Sequence, residues 1–129
     1  MADSTTHTRD ITSQQQIEEL MQDGGPAALI DFWASWCGPC RSMAPQYEEA
    51  ARAMAGEPIE FLKVNTEEYP EISSAFNVRS LPTVIVVADG KVQDSLVGLQ
   101  DSLTLKRTAE RLVSKVNGEG FFQRLFSTS

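Results

Sequence analysis

Ala28-Leu29-Ile30-Asp31-Phe32-Trp33-Ala34-Ser35-Trp36-Cys37-Gly38-Pro39-Cys40 is the stretch that decides how this chain of 129 residues folds. Its first seven residues are almost all apolar and lack polar alternation, the pattern of a central strand covered on both faces. Directly behind them, Trp36-Cys37-Gly38-Pro39-Cys40 holds both cysteines of the chain. Further on, Met43, Ala44, Tyr47, Ala50, Ala51 and Met54 recur at helical spacing, so the cysteines open a long amphipathic helix. Pro39 suits the first turn of that helix, where its missing N–H is not needed. Pro45 lies deeper and is expected to kink the helix, because it removes one hydrogen bond and crowds the carbonyl of Arg41.

Two thiols three positions apart at a helix start fall within the Cα spacing of a disulfide. Cys37 and Cys40 can therefore close and open a bond without unfolding the chain. The loop so closed is short and removes little entropy from the unfolded state, so cycling explains the pair better than stapling does. The two sulfurs differ. Cys37 sits at the helix N-terminus, where free N–H groups and the helix dipole stabilise a thiolate, which makes it the expected nucleophile. Cys40, one turn deeper, is the expected resolving thiol. Gly38 leaves room for a disulfide substrate, Pro39 restricts the backbone between the sulfurs and so tunes their redox poise, and Trp36 adds a flat apolar wall. A structural zinc site would need two more Cys or His ligands, and His7 is the only histidine. No metal is expected.

Outward from this core, Ser13 to Met21 reads as a helix capped by Ser13 and ended by Gly24-Gly25-Pro26. Ile59 to Asn65 reads as a strand and Tyr69 to Phe76 as a short helix. Thr83 to Ala88 and Lys91 to Val97, joined by Asp89-Gly90, form a hairpin with a primed two-residue turn. Leu105, Ala109, Leu112, Val113 and Val116 mark a final helix. This order implies an α/β fold, a central mixed sheet with helices on both faces, and open α/β sheets place their sites at the C-terminal ends of the strands.

With 41% hydrophobic residues the chain suits one domain, and its net charge of −7, from 11 basic and 18 acidic residues, argues against nucleic-acid binding. No apolar run approaches the length of a membrane span. Met1 to Asp10 is polar and lacks the apolar stretch of a signal peptide, so a cytoplasmic location is expected, where a persistent structural disulfide is disfavoured.

With Asp31-Phe32-Trp33-Ala34-Ser35-Trp36-Cys37-Gly38-Pro39-Cys40 stand Ala44-Pro45, Lys63-Val64-Asn65, Leu81-Pro82-Thr83, Asp89-Gly90 and Val97-Gly98, in this order along the chain. On these motifs the chain, over roughly residues 11–116, strongly resembles thioredoxin. The resemblance implies a thioredoxin-like fold and reduction of protein disulfides by a dithiol. It further implies no bound cofactor, with electrons drawn from NADPH through a flavoprotein partner, thioredoxin reductase, and delivered to disulfide-containing proteins by a monomer. It makes Asp31, the polar exception in a buried strand, the manager of the Cys40 proton, with a pKa raised by burial. Lys63 becomes a tuning residue and Pro82 a cis-proline beside the site. Trp36, Gly38, Pro39, Leu81, Pro82, Gly98 and Leu99 become a shallow apolar docking face, with the Leu81 backbone free to pair with an extended substrate. Thr66 and Ser80 lie near that face at positions that vary among relatives.

Two segments depart from the pattern. The polar arm, residues 1–10, leaves the first strand near Thr6 to Ile11 short or absent. After the domain at 11–116, the tail 117–129 carries Phe121, Phe122, Leu125 and Phe126 on one helical face, so a short amphipathic helix is expected beyond a glycine hinge, packed on the domain or docked to a partner. A binding module that docks a dedicated partner through this tail or the apolar face is the alternative to an enzyme. A disulfide-forming oxidase is disfavoured by the Gly38-Pro39 dipeptide and the absence of a signal peptide.

Overall fold

The computed structural model describes residues 6–126, the backbone alone from 118 onward. Its core is a five-stranded sheet of order β1-β3-β2-β4-β5. The strands are β1 Arg9–Asp10, β2 Ala28–Trp33, β3 Glu60–Asn65, β4 Thr83–Ala88 and β5 Lys91–Val97. β1 and β2 run parallel to β3, and β4 runs antiparallel to both β2 and β5, so the sheet is mixed as expected. Four helices, α1 Gln14–Leu20, α2 Gly38–Ala53, α3 Pro70–Ala75 and α4 Ser102–Phe126, complete the described chain.

Strand alternation divides the core into two layers. Leu29, Phe61, Val84 and Val86 pack against Met43, Tyr47, Leu105, Ala109, Leu112 and Val113 of α2 and α4. Ala28, Ile30, Phe32, Leu62, Val64, Ile85 and Val87 pack on the other side against Ile17, Leu20 and Ile72 of α1 and α3. All of β2 up to Phe32 is thereby buried, which is why its sequence carries no polar alternation. α2 is fastened to the sheet by Tyr47, whose hydroxyl lies 2.9 Å from the Leu29 carbonyl and 2.7 Å from that of Leu62.

The local signals act as read. Ser13 caps α1, its hydroxyl accepting from the Gln16 N–H at 3.3 Å. Asp89 and Gly90 both take positive φ, the requirement of a primed hairpin turn. The turn also docks on the α1–β2 loop, since the Gly24 N–H donates to Asp89 Oδ1 at 2.6 Å and the Asp89 N–H to the Gly25 carbonyl at 3.0 Å.

Three expectations are corrected. Arg9 and Asp10, assigned to the polar arm, form the edge strand, so the sheet begins before residue 11. Pro45, where a kink is expected, sits inside α2, and the helix runs on to Ala53. It lies on the exposed side of the helix. The glycine hinge after residue 116 is absent: α4 continues through 117–120 to Phe126, because a glycine weakens a helix by only about 1 kcal/mol and breaks it only where another conformation is better satisfied. Val116, expected on the buried face, is 37% exposed. Residues 1–5 and 127–129 and the side-chain face of the aromatic tail lie outside the described residues.

A side chain at Gly90 would meet the backbone of Met21 and Gln22 just after α1, with an added Cβ 2.7 Å from the Met21 carbonyl oxygen and φ at +71°, whereas Gly56 at φ +89° faces open space. Gly56→Ala should cost about 1 kcal/mol, the left-handed penalty alone, and Gly90→Ala about 3 kcal/mol or more. Urea unfolding of the two variants checks this; equal midpoints would mean that the turn yields to the added atom.

Candidate active site at the end of the central strand

β2 ends at Trp33, and the chain turns at once into α2. The Cys37 N–H donates to the Ala34 carbonyl at 3.2 Å, closing a tight turn over Ser35 and Trp36. Cys37 is the N-cap of α2, with Pro39 in the first turn, and its Sγ accepts the Cys40 N–H at 3.2 Å. The two cysteines are joined in a disulfide with their Cα atoms 5.3 Å apart. Exposure does not separate the sulfurs, because both residues are 4% exposed. The cap bond does. A negative charge on Cys37 Sγ receives an amide hydrogen at the positive end of a helix, the arrangement that lowers a thiol pKa.

Asp31 lies on the α2 face of β2, two residues from Leu29 and two before the strand ends at Trp33, and is 1% exposed. Burial pushes its carboxyl up to about 7, opposed by the positive charge of Lys63. Its Oδ1 has no hydrogen-bond partner among the described residues. Lys63 is the cross-strand neighbour of Asp31 on β3, yet its ammonium lies over the Trp33 ring, 5.4 Å from the centroid, and does not close to ion-pair distance. The lysine therefore tempers the field at Asp31 without neutralising it, and the carboxyl is held where neutral pH titrates it.

Above the disulfide, Leu81 and Trp33 pack against Ala34, Cys37 and Cys40. The Leu81–Pro82 peptide bond is cis and Pro82 is buried. The Gly98 N–H donates to the Pro82 carbonyl at 2.9 Å, which brings the loop after β5 to the same edge. Trp36 is 69% exposed and Leu99 56%, and Pro39 is exposed and Gly38 partly so. The expected docking residues thus gather at one end of the sheet, on loops from separate parts of the chain. Thr66 is tied to the framework, its N–H and hydroxyl both donating to the Trp33 carbonyl, at 2.9 and 3.1 Å. Ser80 accepts the Thr83 hydroxyl at 2.6 Å. Among the described residues no group of three or more His, Cys, Asp or Glu could hold a metal ion, and no helix is long and apolar enough to cross a membrane.

Three contributors went unread in the sequence. Trp33 was part of a motif but had no role, and its stacking on Lys63 appears only once β2 and β3 are in register. Ser35 and Glu67 meet across 32 residues, with no local pattern to announce it.

The family model described as Thioredoxin matches residues 8–111. Thioredoxin 1 of Nostoc sp. is 39% identical over 101 residues, covering 78% of this chain and 92% of that protein. The Thioredoxin M-type, chloroplastic, of Pisum sativum is 35% identical over 113 residues, covering 83% of this chain, which spans 65% of that relative's length. Among solved structures, Malassezia sympodialis thioredoxin superposes with a TM-score of 0.76 at 27% identity, over 88% of this chain and 96% of the other. Plasmodium falciparum thioredoxin gives 0.70 at 32% identity, over 81% and 98%.

Asp31 sets a pH dependence of known sign. Its folded pKa, about 7, lies above the ordinary carboxylate value, so between about pH 4 and pH 7 the folded state holds a proton that the unfolded state has lost. The stability of the wild type should fall across that window, and Asp31→Asn should remove this fall and leave the variant more stable at pH 8. Subtracting the urea-unfolding free energies of the two proteins from pH 4 to 8 isolates the effect, and a flat difference would place the Asp31 pKa near its ordinary value.

Proposed function

The chain belongs to the thioredoxin family, and we propose that it works in the reducing direction, delivering two electrons to disulfides of other proteins. It is a thiol–disulfide oxidoreductase whose redox group is the Cys37–Cys40 pair. The observation that supports the nucleophile assignment best is the bond from the Cys40 N–H to Cys37 Sγ at the start of α2.

In the dithiol form, the Cys37 thiolate attacks one sulfur of a substrate disulfide. The substrate bond breaks, one substrate thiolate leaves, and Cys37 is held to the other sulfur in a mixed disulfide. Cys40 then loses its proton and attacks Cys37 Sγ, closing the Cys37–Cys40 bond and releasing the second substrate thiolate. Two electrons have passed from the pair to the substrate. Asp31, buried in β2 with a pKa of about 7, is the acceptor proposed for the Cys40 proton, because its two protonation states are comparably populated at neutral pH. Lys63 tunes that pKa from β3.

Trp36, Leu81, Pro82, Gly98 and Leu99 form the docking face in this reading. A shallow apolar surface with exposed backbone suits flexible or partly unfolded proteins better than a small molecule. The disulfide left at the end must be reduced again, and we assign this to a flavoprotein thioredoxin reductase fed by NADPH. A monomer in a reducing compartment, the cytoplasm, completes the proposal; relatives named as chloroplastic make a plastid the other setting to examine by fractionation.

NADPH oxidation in the presence of a thioredoxin reductase and insulin tests the reading. Wild type should turn over and Cys37→Ser should not, while Cys40→Ser should stop after one encounter and retain substrate through a bond that dithiothreitol cleaves. Turnover that persists in Cys37→Ser would sink the mechanism.

A further inference from the structure

Ser35 is one of the two residues of the turn between β2 and α2, next to Trp36, and is itself exposed. It is nevertheless held by three hydrogen bonds. Its N–H donates to Glu67 Oε1 at 2.9 Å and its hydroxyl donates to the same oxygen at 2.7 Å. On its other side, the Arg41 guanidinium donates to its carbonyl at 2.7 Å. The Ser35 residue therefore bridges a carboxylate and a guanidinium with each of its polar groups used in the sense that its partner demands, and charge-assisted bonds are the stronger class.

Both grips are themselves anchored. Arg41 is on the first turn of α2, one residue past Cys40, and its N–H donates to the Cys37 carbonyl at 3.2 Å. Glu67 is on the loop after β3; its N–H donates to the Asn65 side-chain oxygen at 2.9 Å, and Thr66 before it is bonded to the Trp33 carbonyl. The clamp thus ties the turn that presents Trp36 to two rigid parts of the framework, the end of β3 and the start of α2.

We propose that Ser35, held between Glu67 and Arg41, is the positioning residue that fixes Trp36 and Cys37 for the docking of a protein disulfide. The inference rests on the reductase reading above and adds a residue set that acts on recognition, not on sulfur chemistry. The separation follows from what the clamp touches. It holds the backbone on the outer side of Cys37, whereas the bond that favours a Cys37 thiolate comes from the Cys40 N–H inside α2. Trp36 offers a large exposed surface to a protein partner. If its turn is loose, that surface must be ordered during docking, and the cost appears as weaker binding. A small disulfide that reaches Cys37 without covering Trp36 does not bear this cost.

The test uses the full chain with Glu67→Ala and Glu67→Gln. Glu67 is exposed, so neither variant disturbs the core, and the glutamine keeps an oxygen that can accept both Ser35 bonds. In reductase-coupled insulin reduction, Glu67→Ala should raise KM about fivefold with kcat within about twofold of wild type. Its rate with hydroxyethyl disulfide should stay at the wild-type value, and Glu67→Gln should recover most of the insulin KM. In parallel, NMR backbone order parameters at Trp36 and Cys37 should fall in Glu67→Ala and be restored in Glu67→Gln. Unchanged order parameters, or insulin and hydroxyethyl disulfide rates that fall together, would overturn the proposal. A wild type that reduces no insulin would instead defeat the reductase reading, and the order parameters would still decide whether the clamp holds the turn.

Discussion

β2 is buried on both faces, and the reactive end of the molecule depends on how that burial is continued into α2. Leu29, Ile30 and Phe32 are sealed between the two helix layers, and Asp31 is sealed with them. For the apolar residues this is the main source of folding free energy, at roughly 25 cal/mol per Å² removed from water. For Asp31 the same burial opposes ionisation, and only a neighbouring lysine, drawn aside onto the Trp33 ring, works against it. A carboxylate at this position weakens the fold at neutral pH. The proton-accepting role proposed for Asp31 gives such a residue a physical reason, and functional sites are where folds carry groups of this kind.

The same strand sets the geometry of the sulfurs through α2. Tyr47 reaches carbonyls of two adjacent strands, so the helix that begins with the cysteines is referenced to β2 and β3 at once. With α2 placed, its first free amides point at Cys37, and the Cys40 N–H lands on Cys37 Sγ without any further device. The fold therefore places a sulfur at a helix N-terminus and a carboxyl with a raised pKa six residues before it in the chain. The first comes from a helix end and the second from a buried strand, so two opposite electrostatic environments come from one strand-to-helix junction.

What could be read in advance followed the range of the interactions. β2, the hairpin with its Asp89-Gly90 turn, and the cap at Ser13 are local codes, and each appears where its residues called for it. The separated motifs identified the family because their order along the chain is specific even where each is short. β1 was hard to see because two residues cannot show an alternation, and what defines it is pairing with Leu62 and Lys63 on β3. The continuation of α4 past residue 117 was misread because glycine in a sequence signals a weak helix position and not a necessary break. The Trp33–Lys63 stack and the Ser35–Glu67 bonds join segments about thirty residues apart, and nothing in either segment alone predicts its partner.

The docking face proposed for this chain is assembled from loops, yet each of these loops is bonded to the framework: Thr66 to the end of β2, Ser35 to Glu67 and Arg41, and Gly98 to Pro82. An open face lacks the walls by which an enclosed pocket orients its ligand, so its selectivity must come from holding exposed groups still before the partner arrives. In the proposed reading, loops tied in this way would let an apolar, open surface present one sulfur in one orientation to different protein disulfides. Under that proposal the surface would tolerate variety of substrate, and the backbone beneath it would keep the attack accurate. This division explains why bonds that touch neither sulfur belong to the working site as much as the residues that do.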